Sequence, residues 1–512
     1  MRSSPLWLLL LVQGVVSAAS LVVEIVAGRM LAPYVGMSLY TWTSVIAVVL
    51  AGFSVGHWWG GLLAEQKTRP ALRSTGWAML GAALSTALAL VLMQRIAGVV
   101  LQTVDHPVWG IGVLTMLVFF LPSCFAGVPA PVLARTAVSD TEHSGHSGRA
   151  LGAIFAVGAV GAIAGTLLAG FLFISWLGTT ATLAVVTLAY IAAALACFVM
   201  AGGRGVWLPL LAGLIALGLA GYSLAAPNPC TVESRYFCIR SIDMDSNLVG
   251  ELAGDLASDD PTEKVRLMVL DHLGHGMSAQ NQPRKMFTEH AAMLDALARL
   301  RAPRADFTSF FIGGGSYSIP RAFASRGTGP RTVAEIDPEV TAMAVRDFWF
   351  DASTARILHQ DARRALTALP DQYDVILGDA FTDVAVPAHL ITREFYELAA
   401  SRLTPGGTFL MNVIDYENRL EALASVARTL QTVFPVVEIW TNMRRPDPGA
   451  RVVFVLVAGS TPTPQAQFFA SAPERTEFAA MSETWAASLI QTRGTLLSDD
   501  YAPIDRLIGR PD

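Results

Sequence analysis

The residues best suited to chemistry lie in the C-terminal half, each at or just after the end of a short apolar run. They are three glycines and three acids, namely Gly313, Gly314, Gly315, Glu335, Asp361 and Asp379. Glycines let the backbone approach a ligand closely, and carboxylates accept hydrogen bonds from hydroxyl and amino groups. Each acid alone could instead cap the helix that follows it. Their recurrence at four successive positions favours one shared ligand site.

The same pattern predicts a nucleoside without phosphates. The glycine turn lacks the full G-x-G-x-x-G pattern, and no lysine follows it as in a P-loop. Glu335 is placed to accept two hydrogen bonds from a ribose diol, Asp361 to accept the adenine amino group, and Asp379 to face the reacting end. S-adenosylmethionine or its decarboxylated form would fit such a site.

The elements that must position these residues alternate along the chain. Strands are predicted at 307–312, 331–336, 355–358 and 373–377, with helical stretches between them, and further strands at 407–413 and 452–457. This alternation predicts a parallel sheet covered by helices on both faces. In such sheets ligands bind at the carboxyl ends of the strands. Strand-like stretches at 231–242 and 265–270 and a helix at 286–299 precede this domain.

The N-terminal half has a different composition. Up to Ala226 the chain has nine Lys or Arg and five Asp or Glu, whereas the whole chain has 36 and 41. Apolar runs occur near 5–27, 38–63, 76–94, 108–134, 151–174, 178–200 and 206–226. Since about 20 apolar residues cross a bilayer, we predict a bundle of about seven transmembrane helices.

The predicted domains are therefore a transmembrane helical domain at 1–226, a small β-rich subdomain with a linking helix at 227–302, a sheet domain at 303–459 and a C-terminal extension at 460–512. The net charge of −5 comes from the part after the helices and argues against binding of nucleic acid. The chain shows no cluster with the ligand spacing of a zinc site, and we expect no metal.

Charge bias predicts the orientation in the cell (inner) membrane. One side collects Arg2, Lys67, Arg69, Arg73, Arg135, Arg149 and Arg204, and the other has only Arg29 and Arg95. This bias places the N-terminus in the cytoplasm, and an odd number of spans then places the C-terminal domain outside. Cys230 and Cys238 could form a disulfide if exported, or remain thiols in the cytoplasm.

Several motifs resemble the spermidine synthase (polyamine aminopropyltransferase) family. They are 233–236 (E-S-R-Y), 270–276 (L-D-H-L-G-H-G), the loop 312–321, 335–337 (E-I-D), 361–362 (D-A) and 373–379 (Y-D-V-I-L-G-D). The whole chain resembles the membrane-fused branch of that family, because the first two spans carry similar residues: Glu24, Arg29, Pro33, Gly36, Trp42, Gly56, Gly60 and Gly61. The resemblance implies a Rossmann-like, methyltransferase-type fold and, usually, a homodimer.

The resemblance also implies roles for individual residues. Glu335 would bind the ribose, Asp361 and Ala362 the adenine, and Asp379 would accept the proton. The acceptor end would be formed by Asp383, Ser316, Glu289, Tyr236, His275 and Pro387. Two positions depart from the family: Ser316 stands where the family has an amine-binding aspartate, and residues 287–289 read Phe-Thr-Glu in place of Tyr-His-Glu.

We therefore expect an enzyme of polyamine biosynthesis that transfers an aminopropyl group from decarboxylated S-adenosylmethionine, as co-substrate, to putrescine or a related amine, with release of methylthioadenosine. Two alternatives stay open. One is methyl transfer from S-adenosylmethionine, and the other is a transporter or sensor that binds a nucleoside or polyamine without turnover.

Overall fold

The computed structural model describes residues 5–104, 106–141, 147–202, 207–257, 260–381, 386–469 and 477–508. The chain divides into two compact units, Met1–Cys238 and Ile239–Asp512. The described part of the first unit is helical: α1 (Leu6–Val35), α2 (Leu39–Ala64), α3 (Thr68–Thr103), α4 (Pro107–Gly127), α5 (Pro129–Thr141), α6 (Ser147–Leu168), α7 (Ile174–Met200) and α8 (Trp207–Ala225), with a π-helical turn at Ala169–Phe173 and a two-residue strand β1 (Val232–Glu233).

Within the described residues of this unit, six helical segments are long and apolar enough to cross a membrane. One of them, Ser147–Met200, has 54 residues, which as a straight helix would be about 80 Å long against about 30 Å of hydrocarbon. It is interrupted at Gly178, whose φ of 76° and ψ of 175° are not helical. The interruption separates the fifth and sixth predicted spans, which explains six continuous segments where the sequence predicted seven runs.

The segment after α8 is tied to the helices of its own unit. The carboxylate of Glu233 accepts a hydrogen bond of 3.0 Å from the amide of Thr179, directly after the break in the helix. The guanidinium of Arg29 donates to the carbonyl of Ser234 at 2.8 Å. Cys230 and Cys238 are joined in a disulfide. The strand-like stretch predicted at 231–242 is therefore divided, because residues 234–237 turn within this loop.

The second unit begins with an antiparallel sheet of β2 (Cys238–Met244), β3 (Val265–Leu270) and β4 (Leu273–Ala279). Its remaining strands are β5 (Ser309–Ile312), β6 (Arg331–Ala334), β7 (Arg356–Leu358), β8 (Tyr373–Gly378), β9 (Leu403–Tyr416), β10 (Val436–Asn442), β11 (Arg451–Gly459), β12 (Gln467–Phe469) and β13 (Glu477–Ala480). Its α-helices are α9 (Ser246–Ala253), α10 (Glu289–Arg301), α11 (Ser318–Arg326), α12 (Pro338–Asp347), α13 (Ala362–Ala368), α14 (Arg393–Ser401), α15 (Glu421–Gln431), α16 (Glu483–Arg493) and α17 (Ile504–Ile508).

Strands β5 to β13 form one sheet of order β12-β13-β10-β11-β9-β8-β5-β6-β7. The five strands from β9 to β7 in that order are parallel, as predicted, whereas β10 and β11 are antiparallel to their neighbours. The short connection between β10 and β11 allows only an antiparallel pair, since a parallel one needs a longer crossover. The unit is thus an α/β domain of the methyltransferase-like type with a mixed sheet.

The C-terminal extension, to which the sequence assigned no structure, completes this sheet. Strand β13 pairs with β10 in register Trp440↔Ala480, and Phe478 packs edge-on against the fully buried ring of Trp440. Helix α16 packs through Leu489 and Ile490 into the core that also holds α15. Burial of these side chains, each worth about 2 kcal/mol, stabilises a segment that has no clear periodicity.

Candidate nucleoside and amine site

The parallel strands bring the predicted residues to one level of the sheet. Ile312 of β5 is paired with Ala334 of β6 and with Gly378 of β8, and Gly378 is paired with Met411 of β9. The residues that directly follow this row are Gly313, Glu335, Asp379 and Asn412. Since the strands are parallel, these four residues lie together at the carboxyl edge, where α/β sheets bind their ligands.

The glycine turn and the residue before it are hydrogen-bonded to the acid on either side. The amide of Gly314 donates to Oε2 of Glu335 at 2.8 Å, and the amide of Asp379 donates to the carbonyl of Ile312 at 3.0 Å. Gly313 and Gly315 have φ of 91° and 50°, which favour glycine. A side chain on Gly314 would overlap the buried ring of Tyr317. The turn therefore needs glycines for its shape and its packing.

Glu335 is a buried acid that directly follows β6. It is buried, and its Oε1 accepts the amide of Asp337 at 2.9 Å. Burial raises the pKa of this carboxyl above its ordinary value, against the effect of the amide hydrogen bonds from Asp337 and Gly314, which lower it. Each carboxylate oxygen has a second lone pair, so both oxygens can still accept a hydroxyl hydrogen.

Asp361 caps the helix that follows it, which is one of the two roles that its sequence position suggested. Its Oδ1 caps α13 by accepting the amide of Arg364 at 2.9 Å, while its Oδ2 lies 2.7 Å from Nε2 of His389. Burial raises the pKa of Asp361, but these two hydrogen bonds outweigh it, and the pKa is below its ordinary value. The adjacent Ala362 is buried at the start of α13. Asp361 is thus an ionised acceptor at the end of the strand beside Glu335.

Asp379 is the partly exposed acid of the row, with 29% of its side chain accessible. Its Oδ1 accepts a hydrogen bond of 2.9 Å from Nδ2 of Asn412, and its Oδ2 lies 3.7 Å from Nε2 of His290. The Oδ1 of Asn412 is buried and has no hydrogen-bond partner among the described residues. A buried acceptor without a partner is costly, so this amide is suited to meet a donor from a ligand.

The β3–β4 hairpin closes on the other side of the glycine turn. Ser316 is buried, and a side chain on Gly276 would overlap its hydroxyl. Nδ1 of His275 lies 3.0 Å from the carbonyl of Leu273. Burial lowers the pKa of His275, which favours a neutral imidazole. The hairpin therefore supplies uncharged polar groups rather than a carboxylate at this position.

The remaining predicted residues differ in what the structure says of them. Oε1 of Glu289 accepts 2.7 Å from Nδ2 of Asn442, at the first turn of α10. Pro387 precedes a short 3-10 turn, Ala388–Leu390, that carries His389. Asp383 lies outside the described residues. Tyr236 belongs to the first unit, where its carbonyl accepts from Arg29, and its role at the acceptor end stays a prediction.

Sequence reasoning missed three residues that contact the predicted acids, namely His290, His389 and Asn412. Asn412 lies in the same row as Asp379. The predicted strand at 407–413 contains it and could have indicated it. The absence of the family histidine at Thr288 pointed away from an imidazole, yet His290 stands two residues later, with its Nε2 3.3 Å from Oγ1 of Thr288. An imidazole therefore lies near Asp379 after all.

Comparison with known proteins places this unit near two kinds of transferase. Residues 332–465 match the family described as "Spermine/spermidine synthase domain", a stretch that contains Glu335, Asp361 and Asp379. The chain is 32% identical over 136 residues to "Polyamine aminopropyltransferase 2" of Pseudomonas aeruginosa, covering 25% of this chain and 39% of that protein. It is 33% identical over 154 residues to "N-terminal histidine N-methyltransferase" of Emericella nidulans, covering 29% of this chain and 27% of that protein.

Among solved structures, a probable spermidine synthase from Corynebacterium glutamicum aligns with 48% of this chain and 92% of its own, at a TM-score of 0.40 and 21% identity. The chain spans less than half the length of both curated relatives above. Residues 332–465 are thus similar to the spermine/spermidine synthase domain.

Proposed function

We propose that this protein is a membrane-anchored aminopropyltransferase. The donor would be decarboxylated S-adenosylmethionine, the acceptor putrescine or a related amine, and the product methylthioadenosine. The observation that carries the proposal is the single row of Gly313, Glu335 and Asp379 at the carboxyl ends of β5, β6 and β8, with Asn412 beside them inside β9. The similarity of residues 332–465 to the spermine/spermidine synthase domain supports it.

The residues on the two sides of the glycine turn would have different roles. Glu335 would hold the ribose hydroxyls against the glycine turn, and Asp361 would accept the adenine amino group. Asp379, on the opposite side of the same turn, would then lie beside the carbon attached to the sulfonium sulfur. Binding both reactants in this way makes the attack effectively intramolecular, and such positioning supplies a large part of many rate enhancements.

The reaction would be a displacement at that carbon. The neutral amine nitrogen forms the new C–N bond, the C–S bond breaks, and its electron pair leaves with methylthioadenosine. An alkyl amine with a pKa of about 10 is neutral in about one molecule per thousand near pH 7, which costs about 4 kcal/mol. Asp379 would accept the proton from the attacking amine, and a positioned base of this kind partly offsets the cost.

His290 and Asn412 would support Asp379 in this step. Asn412 fixes one carboxylate oxygen through the 2.9 Å hydrogen bond, which leaves Oδ2 directed toward the side of His290. The carboxylates at the acceptor end would be Glu289 and Asp383. Since Ser316 and Thr288 replace charged or basic family residues, we expect weaker binding of a dication than in a pocket with an aspartate at position 316.

The activity is tested by incubating the purified full chain with putrescine and, separately, each sulfonium donor. We expect methylthioadenosine to form from decarboxylated S-adenosylmethionine in an amount equal to the polyamine produced, as measured by chromatography and mass spectrometry. The same reaction without amine is the control. Absence of product with either donor, despite nucleoside binding, would contradict the proposal and favour a binding or sensing protein.

Methyl transfer is the second candidate, and a specific observation favours it. The similarity to the histidine N-methyltransferase covers a stretch as long as the one to the aminopropyltransferase, and the amine-binding aspartate of the resembled family is replaced by Ser316. In the same assay, S-adenosylhomocysteine formed from S-adenosylmethionine would identify this reaction.

We also propose that the second unit is extracytoplasmic, with the N-terminus in the cytoplasm. The charge bias of the apolar half and the disulfide between Cys230 and Cys238 support this orientation, because disulfides persist in oxidising compartments. The helical unit would then anchor the domain in the inner membrane, and the donor would have to be available on the outer side.

The disulfide gives a direct prediction. The other two cysteines, Cys124 and Cys197, are free and buried. In protein denatured under non-reducing conditions, a maleimide should therefore label two thiols before reduction and four after it. Mass spectrometry counts the labels, and a Cys230→Ser variant should show three before reduction because Cys238 loses its partner. Four labels on the unreduced parent chain would mean that the disulfide is absent and would remove this support for the orientation.

A further inference from the structure

A cavity of about 730 Å³ lies in the second unit, away from the proposed nucleoside residues. It is bounded by the end of β10, the residues that follow it, the start of α15 and the exposed side of α16. Small-molecule sites commonly have about 300–1,000 Å³. None of the residues to which we assigned nucleoside or amine binding lines it, so the cavity is not part of the site described above.

One wall of the cavity is apolar and is formed by side chains that pack in the hydrophobic core. Val452 and Phe454 of β11 are buried members of the core that packs against α15. Trp485 on α16 is only partly buried and contributes its indole to the same wall. A flat or branched hydrocarbon group would contact these side chains, and its burial there would be favourable at about 25 cal/mol per Å².

The rim of the cavity has an excess of positive charge. Among the described residues that line it, Arg444, Arg445 and Arg493 are exposed arginines and Glu417 is the one acid. Arg493 is oriented by donating to the carbonyl of Asn418, so its guanidinium is held in place. Arginine is the side chain best suited to bind carboxylate, sulfonate or phosphate groups through paired hydrogen bonds. An apolar wall with such a rim complements a ligand with an apolar body and one acidic group.

We propose that this cavity binds an aromatic organic anion, with the ring against Trp485 and the acidic group at Arg445. This ligand differs in charge from the cationic amine and the sulfonium donor of the proposed reaction. The cavity is joined to the acceptor end by a short path, since Asn442 both lines it and donates to Glu289 at 2.7 Å. A bound anion would therefore contact the residue that positions Glu289.

The test measures binding directly and does not depend on turnover. Naphthalene-2-sulfonate is titrated into the full chain in neutral detergent micelles by isothermal calorimetry, with empty micelles subtracted. A cationic probe of the same ring, 2-naphthylmethylammonium, is titrated in parallel. We expect saturable binding of the anion to one site per chain and no saturable binding of the cation. No binding of the anion, or equal binding of both probes, would overturn the proposal.

Variants locate the site. Arg445→Gln, at an exposed position where a change in folding is not expected, should weaken binding of the anion about tenfold, the loss of one charge-assisted hydrogen bond. Arg506→Gln is the matched control, because Arg506 is exposed, bonds to Tyr501 and does not line the cavity. It should bind like the parent chain. Equal losses in both variants would indicate unspecific attraction to surface charge and would also overturn the proposal.

Discussion

An Asp379→Asn variant should lose about a thousandfold in kcat for aminopropyl transfer, since a positioned general base contributes about 10²–10⁴. The amide cannot accept the proton of the attacking amine, so only the rare neutral amine from solution can react. The donor should bind as before, because Glu335 and Asp361 are unchanged. Steady-state kinetics with saturating amine give kcat, and calorimetry with the donor alone gives its affinity.

The control for Asp379→Asn is Asp371→Asn. Asp371 is a partly exposed carboxylate that pairs with Arg356 at 3.1 Å, at the start of the same β8 region but away from the row. A surface pair of this kind contributes about 0–1 kcal/mol, so the control should keep the parent kcat. If Asp379→Asn retained more than a tenth of the parent kcat while folded, Asp379 would not be the base.

Short-range sequence patterns predicted the parts of the fold that depend on residues close together in the chain. Each of Gly313, Glu335 and Asp379 follows an apolar run of strand length, and the alternation with helices requires parallel strands whose ends coincide. The alignment of these three residues in one row was therefore predictable. Asp361 was predictable in the same way, as the acid after the third strand, where the structure has it capping α13.

Contacts between distant elements were not predictable from such patterns. His290 reaches the side of Asp379 because α10 packs on β8 and β9, and nothing in the sequence around residue 290 specifies that packing. His389 reaches Asp361 from the 3-10 turn after β8, which is again a contact between elements that are distant in the sequence. The C-terminal extension has no clear periodicity. It is ordered by pairing with β10 in the sheet.

A Glu335→Gln variant should lower the affinity for the sulfonium donor about a hundredfold. It would lose two charge-assisted hydrogen bonds to the ribose, each worth about 1.5 kcal/mol. In the variant, one oxygen is also replaced by an NH₂ group that faces the amide of either Gly314 or Asp337, both of which now donate to Glu335. Calorimetry with the donor measures the affinity. Glu339→Gln, an exposed change in the first turn of α12, should leave it unchanged.

The pH dependence separates a role of Glu335 in binding from one in folding. Because burial raises its pKa above the ordinary 4.5, the carboxylate is lost at a higher pH than in the unfolded chain, and donor affinity of the parent should fall on acidification through that range. The same raised pKa means that the folded state binds this proton more tightly, so acidification through the range stabilises folding through Glu335. The donor affinity of the parent should therefore fall as the pH falls, while protonation of this carboxyl does not destabilise the fold. The donor affinity of Glu335→Gln should depend less on pH. A parent affinity that is constant down to pH 4.5 would show that the ionised carboxylate does not bind the donor.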